Sequence, residues 1–283
     1  MRELFIAQGL LSPRGTPRGD QQHKLRQVQR FIELLTSLSV FTKQATRADV
    51  PLHILDAGCG RAYLSLALCL YARQRGWKVH MTGIDRNKPL LEQVQALASR
   101  LELPATLVHG DLCDVQHHVK EDVDLLISLH ACDTATDHAL MAGVQLRARS
   151  MALVPCCHRE LAAQMALGPR GEPVDLADQA IQRHGLLRGR LADLLTDALR
   201  AAVLEACHYD AGCIEFISAE HTAKNLMIRA SRREQPLAGR AEQALAGARE
   251  LAGRYGVRPA LLKWLEALVE ASGEGQAGRR MGV

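Results

Sequence analysis

From Leu52 onward the chain alternates short apolar runs with longer amphipathic ones, and this rhythm is the strongest constraint on its fold. The runs at 52–58, 78–84, 105–109, 123–129 and 150–155 have strand length and are strand-like in character, with apolar residues prominent at 52–55 and 125–127. The stretches at 61–74 and 87–102 carry apolar residues at helical spacing instead. Strand and helix in alternation give a parallel sheet covered by helices. The rhythm changes after a long helical region over 175–207. Gly212–Ser218 and Asn225–Ala230 are short strand-like runs with only Ala219–Lys224 between them, which predicts an antiparallel hairpin closing the sheet. The expected fold is α/β: a mostly parallel seven-stranded sheet with a C-terminal antiparallel hairpin and helices on both faces.

Around this core the chain divides into four parts: 1–21, 22–50, 51–232 and 233–283. Ser12–Asp20 is rich in Pro, Gly and Arg, so the first part reads as an exposed, mobile segment. Gln22–Thr42 places Val28, Phe31, Ile32, Leu34, Leu35 and Leu38 at helical spacing and reads as a helix leading into the α/β domain. After Arg229, segments rich in Ala, Leu, Glu and Arg read as helices as far as Ser272, followed by a fraying tail.

Composition excludes several classes. Hydrophobic residues at 47% and charged ones at 23% match a globular domain, not a disordered chain. No apolar stretch is long enough to cross a bilayer, and no membrane partner is expected. The net charge of +4 permits an anionic partner but falls short of the charge of a dedicated nucleic-acid binder. The eight cysteines lie in or beside apolar runs, which points to reduced thiols. With no secretory leader in the first residues, a cytoplasmic location is expected.

The chemistry-bearing segment is LHILDAGCGRAYLSLAL: a buried strand, Asp56, then Gly58 and Gly60 in a tight turn, then a helix. A dinucleotide loop needs a third glycine where this chain has Tyr63, because a pyrophosphate sits on the helix N-terminus. A sulfonium cofactor carries no phosphate but does carry an ammonium and a cationic sulfur, so an acid such as Asp56 beside the loop suits it. Asp85 ends the second strand, where a carboxylate accepts hydrogen bonds from both ribose hydroxyls. Asp111 follows the third strand, within reach of an adenine amino group. This ordered set points to S-adenosylmethionine held by Asp56, Gly58, Gly60, Asp85 and Asp111. Taken as turn and cap residues alone, the same side chains would carry no ligand.

Ligands of open α/β sheets gather at the carboxyl ends of the strands. The fourth strand ends in SLHACDTATDHAL and the fifth in VPCCHRE. Three chemistries suit these residues. Asp133, His130 or His158 can serve as a general base or orient the acceptor. Cys156 can act as a covalent nucleophile with Cys132 assisting product release. His130, Cys132, Cys156, Cys157 and His158 can line a metal, although adjacent cysteines ligate one zinc poorly and no CxxC occurs; no metal is expected. Against all three stands a pocket lined by these residues without chemistry.

The Gly58-to-Ser65 GxGxxxLS loop, the HxCDxxTDxAL segment from His130 and the PCCH segment from Pro155 together resemble a family of class I S-adenosylmethionine-dependent methyltransferases. The resemblance runs from His23 to about Arg229 and takes in His23, Lys24, Glu215, His221, Thr222, Lys224 and Asn225. A more distant similarity is to eukaryotic tRNA ribose 2'-O-methyltransferases, which carry HLCGxATD and CCHH after the same strands. This chain has CD after His130 and Ala131 and no second histidine after His158. The resemblance implies a Rossmann-like methyltransferase fold, S-adenosylmethionine as methyl donor and RNA, tRNA above all, as acceptor. His130, Asp133, Cys156 and His158 are the catalytic candidates. A small-molecule or protein acceptor, and a non-catalytic cofactor-binding subunit, are the alternatives.

Overall fold

A computed structural model of the chain describes residues 1–17, 19, 21–44, 50–129, 133–166, 176–216 and 225–280. Strands β1 (Leu52–Ala57), β2 (Val79–Asp85), β3 (Ala105–His109), β4 (Leu125–Leu129) and β5 (Ser150–Val154) are joined by β6 (Tyr209–Glu215) and β7 (Leu226–Arg232) in one seven-stranded sheet. Its order is β3-β2-β1-β4-β5-β7-β6. Neighbours among the first five strands are parallel, and β7 runs antiparallel to both β5 and β6. The expected hairpin is present, with β6 starting earlier than expected, at Tyr209.

Alternation along each strand sends side chains to two cores. Leu52 and Ile54 of β1, Leu125 and Ile127 of β4, and Ala152 and Val154 of β5 enter one cluster. Leu55 and Ala57, Leu126, and Met151 and Leu153 enter the other. Helices α1 (Arg2–Ala7), α2 (Gln21–Thr36), α3 (Ser39–Gln44), α4 (Tyr63–Gln74) and α5 (Lys88–Arg100) supply residues to the first face. Helices α6 (Val115–His118), α7 (Thr134–Gln145), α8 (Arg159–Ala166), α9 (Leu176–Gln182), α10 (Gly185–Ala206), α11 (Arg240–Arg254) and α12 (Ala260–Arg280) follow in the chain. Of these α6, α7, α10 and α12 give buried residues to the second face, while α8, α10 and α11 share a smaller cluster.

The structure departs from the sequence expectation at three places. The first part is packed up to Leu11, not a free segment: Leu4 is fully buried, Leu10 and Leu11 are nearly so, and Leu11 bridges to Pro17, while Pro13, Arg14, Thr16 and Pro17 are exposed as expected. A buried leucine contributes about 1.5–3 kcal/mol, which outweighs the turn-forming bias of the Pro and Gly that follow. The single helix expected over Gln22–Thr42 is two, because Thr36 Oγ1 donates to Ile32 O at 2.8 Å and Ser37 Oγ to Leu34 O at 2.7 Å, competing with the helical ladder. The long helix over 175–207 likewise divides at His184, whose backbone is extended. Among the described residues no helix is long and apolar enough to cross a membrane.

Candidate active site

The turn after β1 is built from backbone that few side chains tolerate. Gly58, Gly60 and Ala62 have φ of 74°, 51° and 49°. The first two positions suit glycine for that reason. Gly58 N and Cys59 N both donate to Ile84 O, at 2.9 and 3.0 Å, tying the turn to the end of β2. Gly83 makes that approach feasible: a Cβ there would lie 2.7 Å from Leu107 Cδ1 and 3.0 Å from Cys59 Sγ. A Cβ on Gly60 would meet nothing within 4 Å, so open space lies over the turn.

Asp85 is the hinge of this edge. Its Oδ2 accepts Gly60 N–H at 2.9 Å and its Oδ1 accepts Asn87 N–H at 2.9 Å. One half-buried carboxylate therefore positions both the glycine turn and the start of α5, which Asn87 caps through Leu90 N–H at 3.1 Å. Each carboxylate oxygen still has lone-pair capacity for a ligand.

Asp56 lies deeper than its place beside the loop suggests. It is 3% exposed, and Ser65 Oγ donates to it from the first turn of α4. Burial raises its pKa from 3.8 to about 7, opposed by the Ser65 hydrogen bond and reinforced by the nearby Asp85 charge. The fold thus favours the protonated acid. That contribution is complete below pH 4 and is lost as pH climbs to about 7, at about 1.4 kcal/mol per pH unit between. Asp56→Asn is expected to abolish this dependence. Urea midpoints of both proteins at several pH values check it: the wild type should lose ground to the variant as pH rises from 4 to 7.

Asp111 stands at the third strand end, half-exposed. Its Oδ1 accepts Cys113 N–H at 3.0 Å, and Arg86 forms an ion pair with it. The Cys113 amide is the main cause holding its carboxyl below the usual carboxylate range, with Arg86 helping. Asp85, Gly60 and Asp111 thus lie along the carboxyl ends of β1, β2 and β3, which the register keeps level: Ala57 faces Ile84 and Asp85 faces His109.

The β4–β5 edge is organised by buried charge. Asp133 has φ 57° and ψ −123°, and its Oδ1 accepts the N–H groups of Arg159 and Glu160, at 2.8 and 3.0 Å, at the start of α8. Its carbonyl accepts Arg200 Nη2 at 3.0 Å. Arg200, 1% exposed, also donates Nε to Asp137 Oδ1 at 2.7 Å and Nη1 to Asp197 Oδ1 at 3.2 Å. His158, 5% exposed, is held between Asp197, 2.8 Å from Nε2, and Asp193, 3.1 Å from Nδ1. Both imidazole nitrogens are thus engaged by side chains of α10. Cys156 and Cys157 are half-exposed at the same edge, their sulfurs 3.8 Å apart. His130 and Cys132 fall outside the described residues, as do His221, Thr222 and Lys224.

Arg200, Asp193 and Asp197, which bind α10 to α7 and to His158 ahead of α8, belong to none of the expected motifs, and neither does Arg86. A signal existed: Asp193, Asp197 and Arg200 recur at helical spacing on the one face of α10 that also carries Ala192, Leu199 and Val203. A separate hollow of about 1340 Å³ lies at the opposite, amino edge of the sheet, lined by His53, His80, Arg147, Arg149 and Tyr209 among others. It touches none of the candidate residues.

The sheet order with its antiparallel seventh strand, the glycine turn and the acids at the strand ends together define a class I S-adenosylmethionine-dependent methyltransferase. The family model described as "Methyltransferase domain" matches residues 23–164, and the chain belongs to that family. No curated protein matches the sequence. Solved structures similar to it include magnesium protoporphyrin IX methyltransferase from Synechocystis PCC 6803 with bound S-adenosylhomocysteine, at 17% identity over 82% of this chain and 98% of that one, TM-score 0.42. An rRNA methylase from Streptococcus thermophilus is 11% identical over 70% of this chain and 98% of its own, TM-score 0.40. An S-adenosylhomocysteine-bound methyltransferase from Podospora anserina is 13% identical over 74% and 88%, TM-score 0.41.

Proposed function

We propose that the protein transfers the methyl group of S-adenosylmethionine to RNA, with tRNA the first acceptor to test. Asp85 would hold the ribose hydroxyls, Gly58 and Gly60 would let the backbone lie against the cofactor, and Asp111 would meet the adenine amino group. The observation that carries the cofactor assignment is Asp85: its carboxylate is fixed by two backbone N–H groups, keeps lone pairs, and lies beside the open space over Gly60. Asp56, buried under Ser65, supports the turn from below and lies close enough to feel the Asp85 charge. The cofactor, when bound, supplies an electrophilic methyl on a cationic sulfur.

The acceptor would enter over the β4–β5 edge. Both nitrogens of His158 and one oxygen of Asp133 are engaged in holding that edge, so in this reading they position the acceptor's surroundings. Proton removal is left to Asp133 Oδ2 or His130, with Cys156 at hand for a covalent route. RNA is favoured by the likeness of the HACD and PCCH segments to tRNA methyltransferases and by exposed Arg159 on α8, Arg183 just before α10 and Arg190 within the first turns of α10, a helix that reaches the same edge through His158. Arginines placed there suit phosphates.

Labelled-methyl transfer into a fractionated cell extract tests this reading. Label in the RNA fraction, lost after ribonuclease and reduced at least tenfold in Asp85→Ala, is the expected result. Label only in protein or small metabolites would replace RNA with that class, and no label in any fraction would return the non-catalytic subunit.

A further inference from the structure

The turn after β3 and the first turns of α7 bring together three side chains of different chemistry. Asp111, Cys113 and His138 each present one ligand-type atom, and these atoms all lie within 4.8 Å of one another. Asp111 caps the short 3-10 turn Leu112–Asp114, Cys113 sits within it, and His138 lies on α7, so separate elements converge. Asp111 and His138 are half-buried, while Cys113 is exposed and open to an entering ion. The carboxylate is already oriented: one oxygen accepts Cys113 N–H at 3.0 Å, and mostly exposed Arg86 approaches the other from solvent.

We propose that Asp111, Cys113 and His138 form a binding site for one divalent cation of the zinc type, with water completing a tetrahedron. Zinc takes oxygen, nitrogen and sulfur ligands at about 2.0–2.3 Å, which places neighbouring ligand atoms roughly 3.3–3.8 Å apart. The three atoms, within 4.8 Å of one another, would draw together by about 1 Å to reach that spacing. Magnesium and calcium require oxygen donors throughout, so a thiol and an imidazole select against them. On binding, the Cys113 S–H bond breaks, its proton leaves to solvent and a sulfur–metal bond forms, with no change in oxidation state. Arg86 turns to water as the cation takes its place beside Asp111. Because Asp111 is also the carboxylate assigned above to adenine, metal and cofactor compete for it; this consequence alone rests on the cofactor reading.

Cobalt(II) titrated into the full, chelator-stripped chain reports the site directly, through the near-ultraviolet band of a thiolate–cobalt bond. The expected result is one equivalent bound, displaced by zinc, with the band lost in Cys113→Ser and affinity reduced at least tenfold in His138→Ala. In Cys156→Ser the band should persist. No binding, or a band that survives Cys113→Ser with unchanged affinity in His138→Ala, overturns the site. Thermal unfolding of each apo variant establishes that it is folded. S-adenosylhomocysteine affinity, measured with and without zinc, separates the two readings: a tenfold or larger loss in the wild type but not in Cys113→Ser supports competition. Zinc binding with undiminished cofactor affinity would keep the metal site and remove Asp111 from adenine recognition.

Discussion

Arg200→Met is expected to destabilise the protein by about 3–5 kcal/mol, the range for removing one partner of a buried ion pair. Arg200 satisfies Asp137, Asp197 and the carbonyl of Asp133 at once, and both carboxylates are nearly inaccessible to water. Without the guanidinium, Asp137 loses its buried cation and Asp197 keeps only His158. Burial already raises the Asp137 pKa and Arg200 is the main influence opposing it, so the orphaned Asp137 should take up a proton. Urea unfolding near neutral pH checks the magnitude. A triple variant, Arg200→Met with Asp137→Asn and Asp197→Asn, should recover part of the loss, because the whole charge set is then replaced together. A single variant as stable as the wild type would mean that the network does not hold α7, α8 and α10 together.

Asp85→Ala is expected to weaken S-adenosylhomocysteine binding by about 100- to 10,000-fold. Hydrogen bonds to a charged acceptor are worth about 1.5–3 kcal/mol each, and two ribose hydroxyls would be lost. The variant also frees Gly60 N–H and Asn87 N–H, loosening the turn that must lie against the ligand. Asp85→Asn, with one acceptor oxygen left, should fall between. Calorimetric titration measures both; affinity unchanged in Asp85→Ala would remove this residue from the site.

The centre of the sheet was legible because β1, β4 and β5 are mainly apolar runs that cannot lie on a surface: Leu52–Leu55 and Leu125–Ile127 have no other place than a two-sided core. The glycine turn was legible for a different reason, since positive φ at Gly58 and Gly60 restricts the residue type itself. Helix α7 was not, because three of the four residues of its first turn, Thr134, Thr136 and Asp137, are poor helix formers, and the helix is held by Arg200 from a distant segment. The roles of the catalytic candidates were least legible. Whether His158 offers a lone pair depends on Asp193 and Asp197, which lie far along the chain, and whether Asp56 meets solvent depends on how α4 packs over it. Residue type and spacing identify an edge; partners brought by the tertiary fold decide which of its side chains are free to act.

The measurement that bears most directly on the account is hydrogen–deuterium exchange of the full chain with and without S-adenosylhomocysteine. Protection is expected in peptides covering 56–63, 84–88 and 110–113, the carboxyl edge of β1, β2 and β3. Absence of protection there, or protection confined to the amino-edge hollow around His53, His80 and Arg149, would contradict it.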